Sequence, residues 1–273
     1  MPPRDSMANT ILVALVLCLV CSSLVSIAAV ALKPMQEVNK ALDVQKNILD
    51  ATGLARDVLG VRASDLSKEQ VETLFARIET KLVDIESGEF VDAPDDEVQT
   101  YDPRKAARNP KESTVVGETE YPIGLARREK IAKAYLVKGD DGSLEQIVLP
   151  VYGNGLWSTL YGFLALENDL VTIKGITFYE HAETPGLGGE VDNPDWKKQW
   201  EGLKIYGDDG LPAAGVAKGP APLNNNYLVD GLSGATITSR GVTNLMQYWV
   251  SEDGFGPFLK KLKTHFPSAG GKS

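Results

Sequence analysis

The stretch Asp230-Gly231-Leu232-Ser233-Gly234-Ala235-Thr236 leads directly into an amphipathic segment of the chain. In that segment apolar residues recur at helical spacing, at Val242, Leu245, Met246, Trp249 and Val250, and this spacing predicts a helix. The first turn of a helix exposes unpaired backbone N–H groups, and the positive end of its dipole favours an anion. The stretch therefore has two interpretations. It is an ordinary N-cap, with the hydroxyl of Thr236 or Thr238 as the capping group, or it is a phosphate site.

Length and charge narrow the class of protein. The 273 residues allow one or two domains with a substantial core. The chain carries 28 Lys and Arg against 37 Asp and Glu, a net charge of -9. Nucleic-acid binding requires a basic surface, so this balance argues against a nucleic-acid partner.

The N-terminal part of the chain predicts a membrane anchor. After a short segment, residues 1–10, no charged residue occurs from Ile11 to Leu32. A helix over residues 11–32 rises about 33 Å, enough to cross the hydrocarbon core of a bilayer. The alternative is a cleaved signal peptide, because Ala28-Ala29-Val30-Ala31 imitates a cleavage site. The length of the apolar run favours a retained transmembrane helix.

The only two cysteines, Cys18 and Cys21, both lie inside this apolar run. We interpret them as small side chains that face lipid or another helix. A C-x-x-C redox or metal site is the alternative, but the chain offers no further ligands for it.

The charges that flank the apolar run bear on its orientation in a membrane. Arg4 is the only basic residue before the run, whereas Lys33, Lys40 and Lys46 follow it. The positive-inside rule therefore favours a cytoplasmic C-terminal part, although long domains translocate largely regardless of flanking charge.

Residues 33–130 are predicted to form juxtamembrane helices and polar loops. A helix after Pro34 is expected to stop at Ala51-Thr52-Gly53. A second helix begins at Ser67, where Gln70 completes a capping box, and its apolar positions extend it to about Val83. The polar stretch 87–120 predicts surface loops.

Residues 131–273 are predicted to form the principal domain. Two strand patterns, around Leu136 and from Leu144 to Val151, flank the turn Gly139-Asp140-Asp141-Gly142. A further strand is expected around Gly175. With helices on either side, the pattern predicts an α+β fold with a mainly antiparallel sheet.

Two glycine-rich segments precede the opening stretch. The first is Gly155-Leu156-Trp157-Ser158, which by itself indicates a loop with a packed tryptophan. The second is Glu183-Thr184-Pro185-Gly186-Leu187-Gly188-Gly189, whose glycines permit a ligand to approach the backbone closely. Taken singly, neither segment is strong evidence for a cofactor site.

Taken together, the three segments resemble a known family. They occur in the order found in extracytoplasmic FMN-binding domains, and the chain is most similar to the C subunits of sodium-translocating NADH:quinone oxidoreductases. The resemblance runs from the anchor through 43–49 to Gly254-Phe255-Gly256-Pro257-Phe258-Leu259, and so covers nearly the whole chain.

The resemblance implies a specific function. The opening stretch looks like the motif recognised by FMN transferases, which implies FMN bound covalently to Thr236 through a phosphodiester bond. The chain is then an electron carrier, with no complete activity alone, in a membrane complex that couples NADH oxidation and ubiquinone reduction to sodium export. The resemblance also implies a bacterial inner-membrane protein with a periplasmic C-terminal domain, although the flanking charges favour the opposite orientation. The implied partners are the other subunits of the complex and an FMN transferase.

The same resemblance implies roles for the residues of the three segments. Ser233, Gly234, Ala235 and Thr238 would surround the phosphate. Leu156, Trp157 and Leu187 would pack on the flavin ring, and Glu183, Thr184 and Gly188 would lie at its polar edge. Lys218 is either a cation near the phosphate or flavin or a solvated surface lysine. No catalytic residue and no metal site is predicted.

Three other functions remain open at this point. The chain could be the equivalent subunit of an ion-pumping Rnf-type complex. It could be a hydrolase, because Gly231-Leu232-Ser233-Gly234-Ala235 nearly matches a nucleophile elbow, with Ser233 as nucleophile and His181 or His265 as base. It could also be an anchored module without flavin.

Overall fold

A computed structural model describes residues 6–139 and 141–265 of the chain. The chain divides between Val44 and Gln45 into two compact units. The second unit contains the sheet, the three glycine-rich segments and nearly all of the buried core.

One long helix comes first among the described elements, and shorter helices and strands follow it. The helices are α1 Met7–Thr52, α2 Leu54–Leu59, α3 Lys68–Phe75, α4 Asp95–Thr100, α5 Pro103–Arg108, α6 Pro194–Lys198, α7 Thr236–Val250 and α8 Gly256–His265, with 3-10 turns at Ala63–Asp65 and Gly188–Asp192. The strands are β1 Ile78–Asp84, β2 Glu89–Val91, β3 Ser113–Val115, β4 Arg127–Glu129, β5 Ile131–Lys138, β6 Leu144–Asn154, β7 Thr159–Glu167, β8 Ile173–Glu180, β9 Gly215–Val216 and β10 Leu228–Val229.

Helix α1 is long and apolar enough to cross a membrane, and its most apolar window is wholly exposed. The helix passes through Pro34 without ending, so the predicted anchor and the predicted juxtamembrane segment form one element. It ends at Thr52, where Gly53 adopts a left-handed φ of 70°, as the predicted stop signal requires. Cys18 and Cys21 are both exposed on this helix.

The principal sheet has six strands in the order β2-β1-β5-β6-β7-β8, and every neighbouring pair is antiparallel. Helices that precede and follow the strands in sequence flank this sheet. The predicted α+β class, with one long apolar N-terminal helix and a mainly antiparallel sheet, is therefore confirmed.

One predicted helix is too long. The capping box of Ser67 and Gln70 is present, but α3 ends at Phe75, and the chain from Ile78 onward forms β1. Ile78 and Leu82 have a helical spacing, yet strand pairing with β5 satisfies the backbone there instead. Short apolar runs do not distinguish a helix from a strand by periodicity. The sheet therefore includes strands on both sides of the boundary predicted at residue 130.

The polar stretch 87–120 is also more regular than the loops predicted for it. It contains β2, α4, α5 and β3. Asp102 caps α5 by accepting the backbone N–H groups of Arg104 and Lys105, and Pro103 occupies its first turn. Strand β7 was not predicted, although it lies between two predicted strands and pairs with both.

Helix α7 packs against the long strand β6. Gly241 permits the approach, because a Cβ atom there would lie 2.4 Å from the backbone oxygen of Asn154. At the other end of the helix, Trp249 is fully buried and its Nε1 donates to the backbone oxygen of Tyr152 at 2.7 Å. These contacts hold the first turn of α7 beside the end of β6, next to Gly155.

We expect Trp249→Phe to lower the free energy of unfolding by about 1–3 kcal/mol, because it leaves the buried oxygen of Tyr152 without its donor. Trp157→Phe is the matched control, since Trp157 is 68% exposed. Urea unfolding of the full chain, followed by circular dichroism, measures both. An equal effect of the two substitutions would contradict the role given to Trp249.

Candidate functional site

The opening stretch forms a turn that ends in the first residue of α7. Ala235 is the N-cap residue, and it forms no side-chain capping hydrogen bond. The turn is closed instead by the N–H of Ala235, which donates to Leu232 O at 3.0 Å, and by Ser239 Oγ, which accepts the N–H of Leu232 at 3.1 Å. The capping role considered for Thr236 or Thr238 is therefore wrong. The N–H groups of the first turn are left for another acceptor.

The two threonines of this turn have opposite environments. Thr236 is exposed, and among the hydrogen bonds of the described residues none involves its hydroxyl. Thr238 is wholly buried, and its Oγ1 donates to Glu183 Oε2 at 2.5 Å. A threonine hydroxyl has one hydrogen to donate. The phosphate contact predicted for the Thr238 side chain is therefore not available in this arrangement.

Glu183 connects the three segments. Its Oε1 accepts the backbone N–H groups of Leu156 at 3.1 Å and Trp157 at 2.9 Å, and its Oε2 accepts the hydroxyl of Thr238. The side chain is 5% exposed. The carboxylate is thus engaged inside the protein, and the structure gives it a positioning role in addition to the flavin contact predicted for it.

Two glycines make room for this carboxylate. A Cβ atom on Gly155 would lie 2.6 Å from Glu183 Oε1. A Cβ atom on Gly188 would lie 2.6 Å from both Glu183 Oε2 and Thr238 Oγ1. Real Cβ atoms do not approach polar atoms so closely. Gly155 and Gly188 are therefore required by packing around Glu183.

Hydrogen bonding controls the ionisation of Glu183. Burial raises the pKa of a carboxyl group, because it disfavours the charged form. Here the hydrogen bonds from Thr238 and from the backbone N–H groups of Trp157, Leu156 and Ser158 outweigh burial, and the pKa of Glu183 is lowered from its ordinary value. The carboxylate is therefore ionised at neutral pH.

Four exposed apolar side chains occur in the first two segments and in the first turn of α7. Leu156 is 45% exposed, Trp157 68%, Leu187 43% and Ile237 46%. Trp157 is therefore not the packed tryptophan that its segment alone suggested. Leu187 reaches the third segment, because its Cδ2 would lie 2.9 Å from a Cβ atom on Gly234. We call these four side chains the apolar rim. Ile237 was not predicted, and its only signal is an apolar residue in an otherwise polar first turn.

Lys218 lies close to the same turn. The N–H of Gly231 donates to Gly219 O at 2.8 Å, and a Cβ atom on Gly231 would lie 2.5 Å from Ala217 O. Asp230 Oδ1 accepts the N–H of Ala221 at 2.7 Å, which attaches the turn to the chain just after Lys218. Lys218 is exposed, and no carboxylate of the described residues forms an ion pair with it.

The remaining predicted residues are also near the turn. Ser233 and Gly234 are exposed, and Gly234 has a φ of 70° that favours glycine. Thr184 is exposed, and its carbonyl oxygen accepts the N–H groups of Leu187 at 3.1 Å and Gly189 at 2.9 Å. Among the hydrogen bonds of the described residues none involves the hydroxyl of Thr184, so this group is available to a ligand.

The arrangement does not support a hydrolase. Among the described residues, no hydrogen bond joins Ser233 to a histidine. The ring of His181 contacts Asp192 Oδ2 and the N–H of Glu183 instead. The side chain of His265 lies outside the described residues. A nucleophile requires a base within hydrogen-bonding distance, and Ser233 has none among the side chains described.

Residues 155–251 match the FMN-binding domain family, and this range contains all three segments. The chain is 48% identical over 267 residues to the C subunit of the Na(+)-translocating NADH-quinone reductase of Pseudomonas aeruginosa, covering 96% of this chain and 98% of the relative. It is 44% identical over 260 residues to the corresponding C subunit of Yersinia pestis, covering 95% and 94%. The crystal structure of Shewanella oneidensis NqrC matches with a TM-score of 0.72 and 34% identity, covering 81% of this chain and 96% of that one.

The lowered pKa of Glu183 predicts a pH-dependent contribution to stability. A depressed pKa in the folded state stabilises the protein above the unfolded pKa, about 4.5, and this stabilisation is lost as the pH falls through the folded pKa. We therefore expect Glu183→Gln to be destabilising at neutral pH, and the difference from the wild type to shrink in acid. Urea unfolding at a series of pH values measures it. Glu190→Gln, in the same loop, is the control, and a difference independent of pH would contradict the prediction.

Proposed function

Since the chain belongs to the family of C subunits of the Na+-translocating NADH-quinone reductases, we propose that it carries FMN covalently on Thr236 as the electron-carrier subunit of that complex. Family membership makes the chain a subunit of this enzyme and gives it an FMN-binding domain. The alternative of an Rnf-type subunit is not favoured, because the relatives from Pseudomonas aeruginosa and Yersinia pestis are named as quinone-reductase subunits. The covalent bond, its position and the coupling to sodium export are the proposal.

The observation that carries the proposal is the contrast between the two threonines. A transferase must reach the hydroxyl that it modifies, and Thr236 is exposed with a free hydroxyl, whereas Thr238 is wholly buried and bonded to Glu183. A phosphodiester on Thr236 Oγ1 would keep one negative charge. The adjoining first turn of α7 would stabilise that charge by about 0.3–1 kcal/mol. Ser233 and Lys218 are two side chains able to donate to the phosphate.

The apolar rim fits the ring of a flavin. Leu156, Trp157, Leu187 and Ile237 offer exposed apolar surface on the loops joined by Glu183 and on the first turn of α7, and Thr184 adds a hydroxyl for a polar edge. FMN when bound supplies the redox chemistry, while this chain sets the position and exposure of the ring. Because the rim is open to solvent, a ring on it would be accessible to partner subunits that donate and accept electrons.

The proposal also includes location. Helix α1 would hold the protein in the bacterial inner membrane as a single-pass anchor, with the C-terminal domain in the periplasm. An FMN transferase in the same compartment would complete the protein, and the other subunits of the complex would be its functional partners. The flanking lysines favour the opposite orientation, so the orientation needs a test of its own.

We expect Thr236→Val to abolish covalent flavin when the chain is co-expressed with an FMN transferase, because no hydroxyl remains at the exposed position. In-gel flavin fluorescence after full denaturation measures the loss, and mass spectrometry of the peptide that contains residues 219–240 locates the flavin.

Thr238→Ser and Ser233→Ala are the matched controls. Thr238→Ser retains the hydroxyl that donates to Glu183, and Ser233→Ala removes the other exposed hydroxyl of the turn, so both should keep covalent flavin. Fluorescence that survives in Thr236→Val, or a wild-type chain without fluorescence, would overturn the proposal.

A periplasmic C-terminal domain predicts a clear result from fusion reporters. We expect alkaline phosphatase fused after Ser273 to be active and green fluorescent protein at the same position to be dark, because the first requires export and the second fails to fold after it. The opposite pair of results would show that the flanking lysines determine the orientation.

A further inference from the structure

His181 bridges the two ends of the loop that carries the second segment. It follows β8 directly, and its Nδ1 accepts the backbone N–H of Glu183 at 3.2 Å. Its Nε2 lies 2.8 Å from Oδ2 of Asp192, the last residue of the 3-10 turn Gly188–Asp192. The imidazole is 12% exposed. One ring therefore contacts both the first and the last residue of the loop 183–192.

These two contacts define the protonation of the ring. A backbone N–H is only a donor, so Nδ1 must be unprotonated to accept it. A carboxylate is only an acceptor, so Nε2 must carry the hydrogen. The arrangement therefore requires the neutral Nε2–H tautomer. A charged imidazolium would place an N–H of Nδ1 against the N–H of Glu183 and break that bond.

We propose that His181, as the neutral Nε2–H tautomer, is a positioning residue of the FMN site that closes the loop 183–192 and holds Glu183 in place. The inference rests on the proposed function, because it assumes that this loop faces FMN. The physical basis of the proposal is a series of hydrogen bonds that starts at His181. His181 fixes the backbone of Glu183, and the Glu183 carboxylate fixes Leu156, Trp157 and Thr238.

A second bond supports the same role. The N–H of Ala182, between His181 and Glu183, donates to Ser158 Oγ at 2.7 Å. The start of the loop is thus attached to the first segment at Ser158 and to its own end at Asp192. Loss of the His181 contacts would free the part of the loop that presents Leu187 and Thr184, while the sheet beneath it remains intact.

Two substitutions at His181 separate its two contacts. His181→Asn keeps an acceptor near the position of Nδ1, and His181→Gln keeps a donor near the position of Nε2. The full chain carrying Thr236→Ala, which is designed to lack flavin, is the background for native-state hydrogen exchange. We expect the amide of Glu183 to exchange about tenfold faster in His181→Gln, the equivalent of one lost hydrogen bond, and at nearly the wild-type rate in His181→Asn. Equal rates in the two variants would overturn the proposal.

The tautomer is tested in the same background by 15N NMR of the histidine rings, with His265→Gln to assign the two signals. We expect a protonated Nε2 and an unprotonated Nδ1 for His181, and a protonated Nδ1 would overturn the proposal. Asp192→Asn should change little, because an amide oxygen also accepts from Nε2. A large loss of protection in Asp192→Asn would indicate a charged ion pair instead.

The final readout uses the chain with Thr236 intact, co-expressed with an FMN transferase. We expect His181→Gln to shift the flavin absorption and fluorescence spectra more than His181→Asn does, because only the asparagine keeps the bond to the backbone N–H of Glu183. A chain without flavin would contradict the proposed function, whereas the exchange and NMR results would still decide the role of His181.

Discussion

The buried carboxylate of Glu183 is the contact on which the site depends. It joins a loop after β6, a loop after β8 and the first turn of α7, three parts of the chain that are far apart in sequence. A buried charge is costly unless it is fully hydrogen-bonded. Its donors therefore must come together, and the glycines at 155 and 188 leave the space that this requires. The sheet supplies the frame, and Glu183 sets the positions of the segments at its edge.

Much of this arrangement could be predicted from the sequence, because the relevant signals are local. Each signal reports on its own segment, as do the apolar run, the capping box at Ser67, the glycine turn near residue 140 and the helical spacing after Thr236. The family resemblance was also carried by three short segments, and the comparisons confirm it. The strand β1 was misread because Ile78 and Leu82 fit a helix, and only its partner β5 makes the residues extended.

The roles of residues within the site were harder to predict, because they depend on the direction in which each side chain points rather than on residue type. Thr236 and Thr238 are two residues apart and chemically identical, yet one faces solvent and the other faces Glu183. Glu183 was predicted only at the polar edge of the flavin, and its carboxylate also bonds to Leu156, Trp157 and Thr238. His181 was considered only as a possible base for Ser233, and its ring bridges the ends of a loop. No spacing rule in the sequence contains this information.

The turn at 230–236 also bears on the order of events when the protein is made. In the folded domain, Leu232 and Ala235 are buried, and the carboxylate of Asp230 is bonded to Ala221. Only Ser233, Gly234 and Thr236 present themselves outward among the last five residues of the turn. A modifying enzyme that meets the finished fold has a small target, whereas one that meets the nascent chain has the whole seven-residue stretch. Folding thus changes what can be recognised before any chemistry takes place.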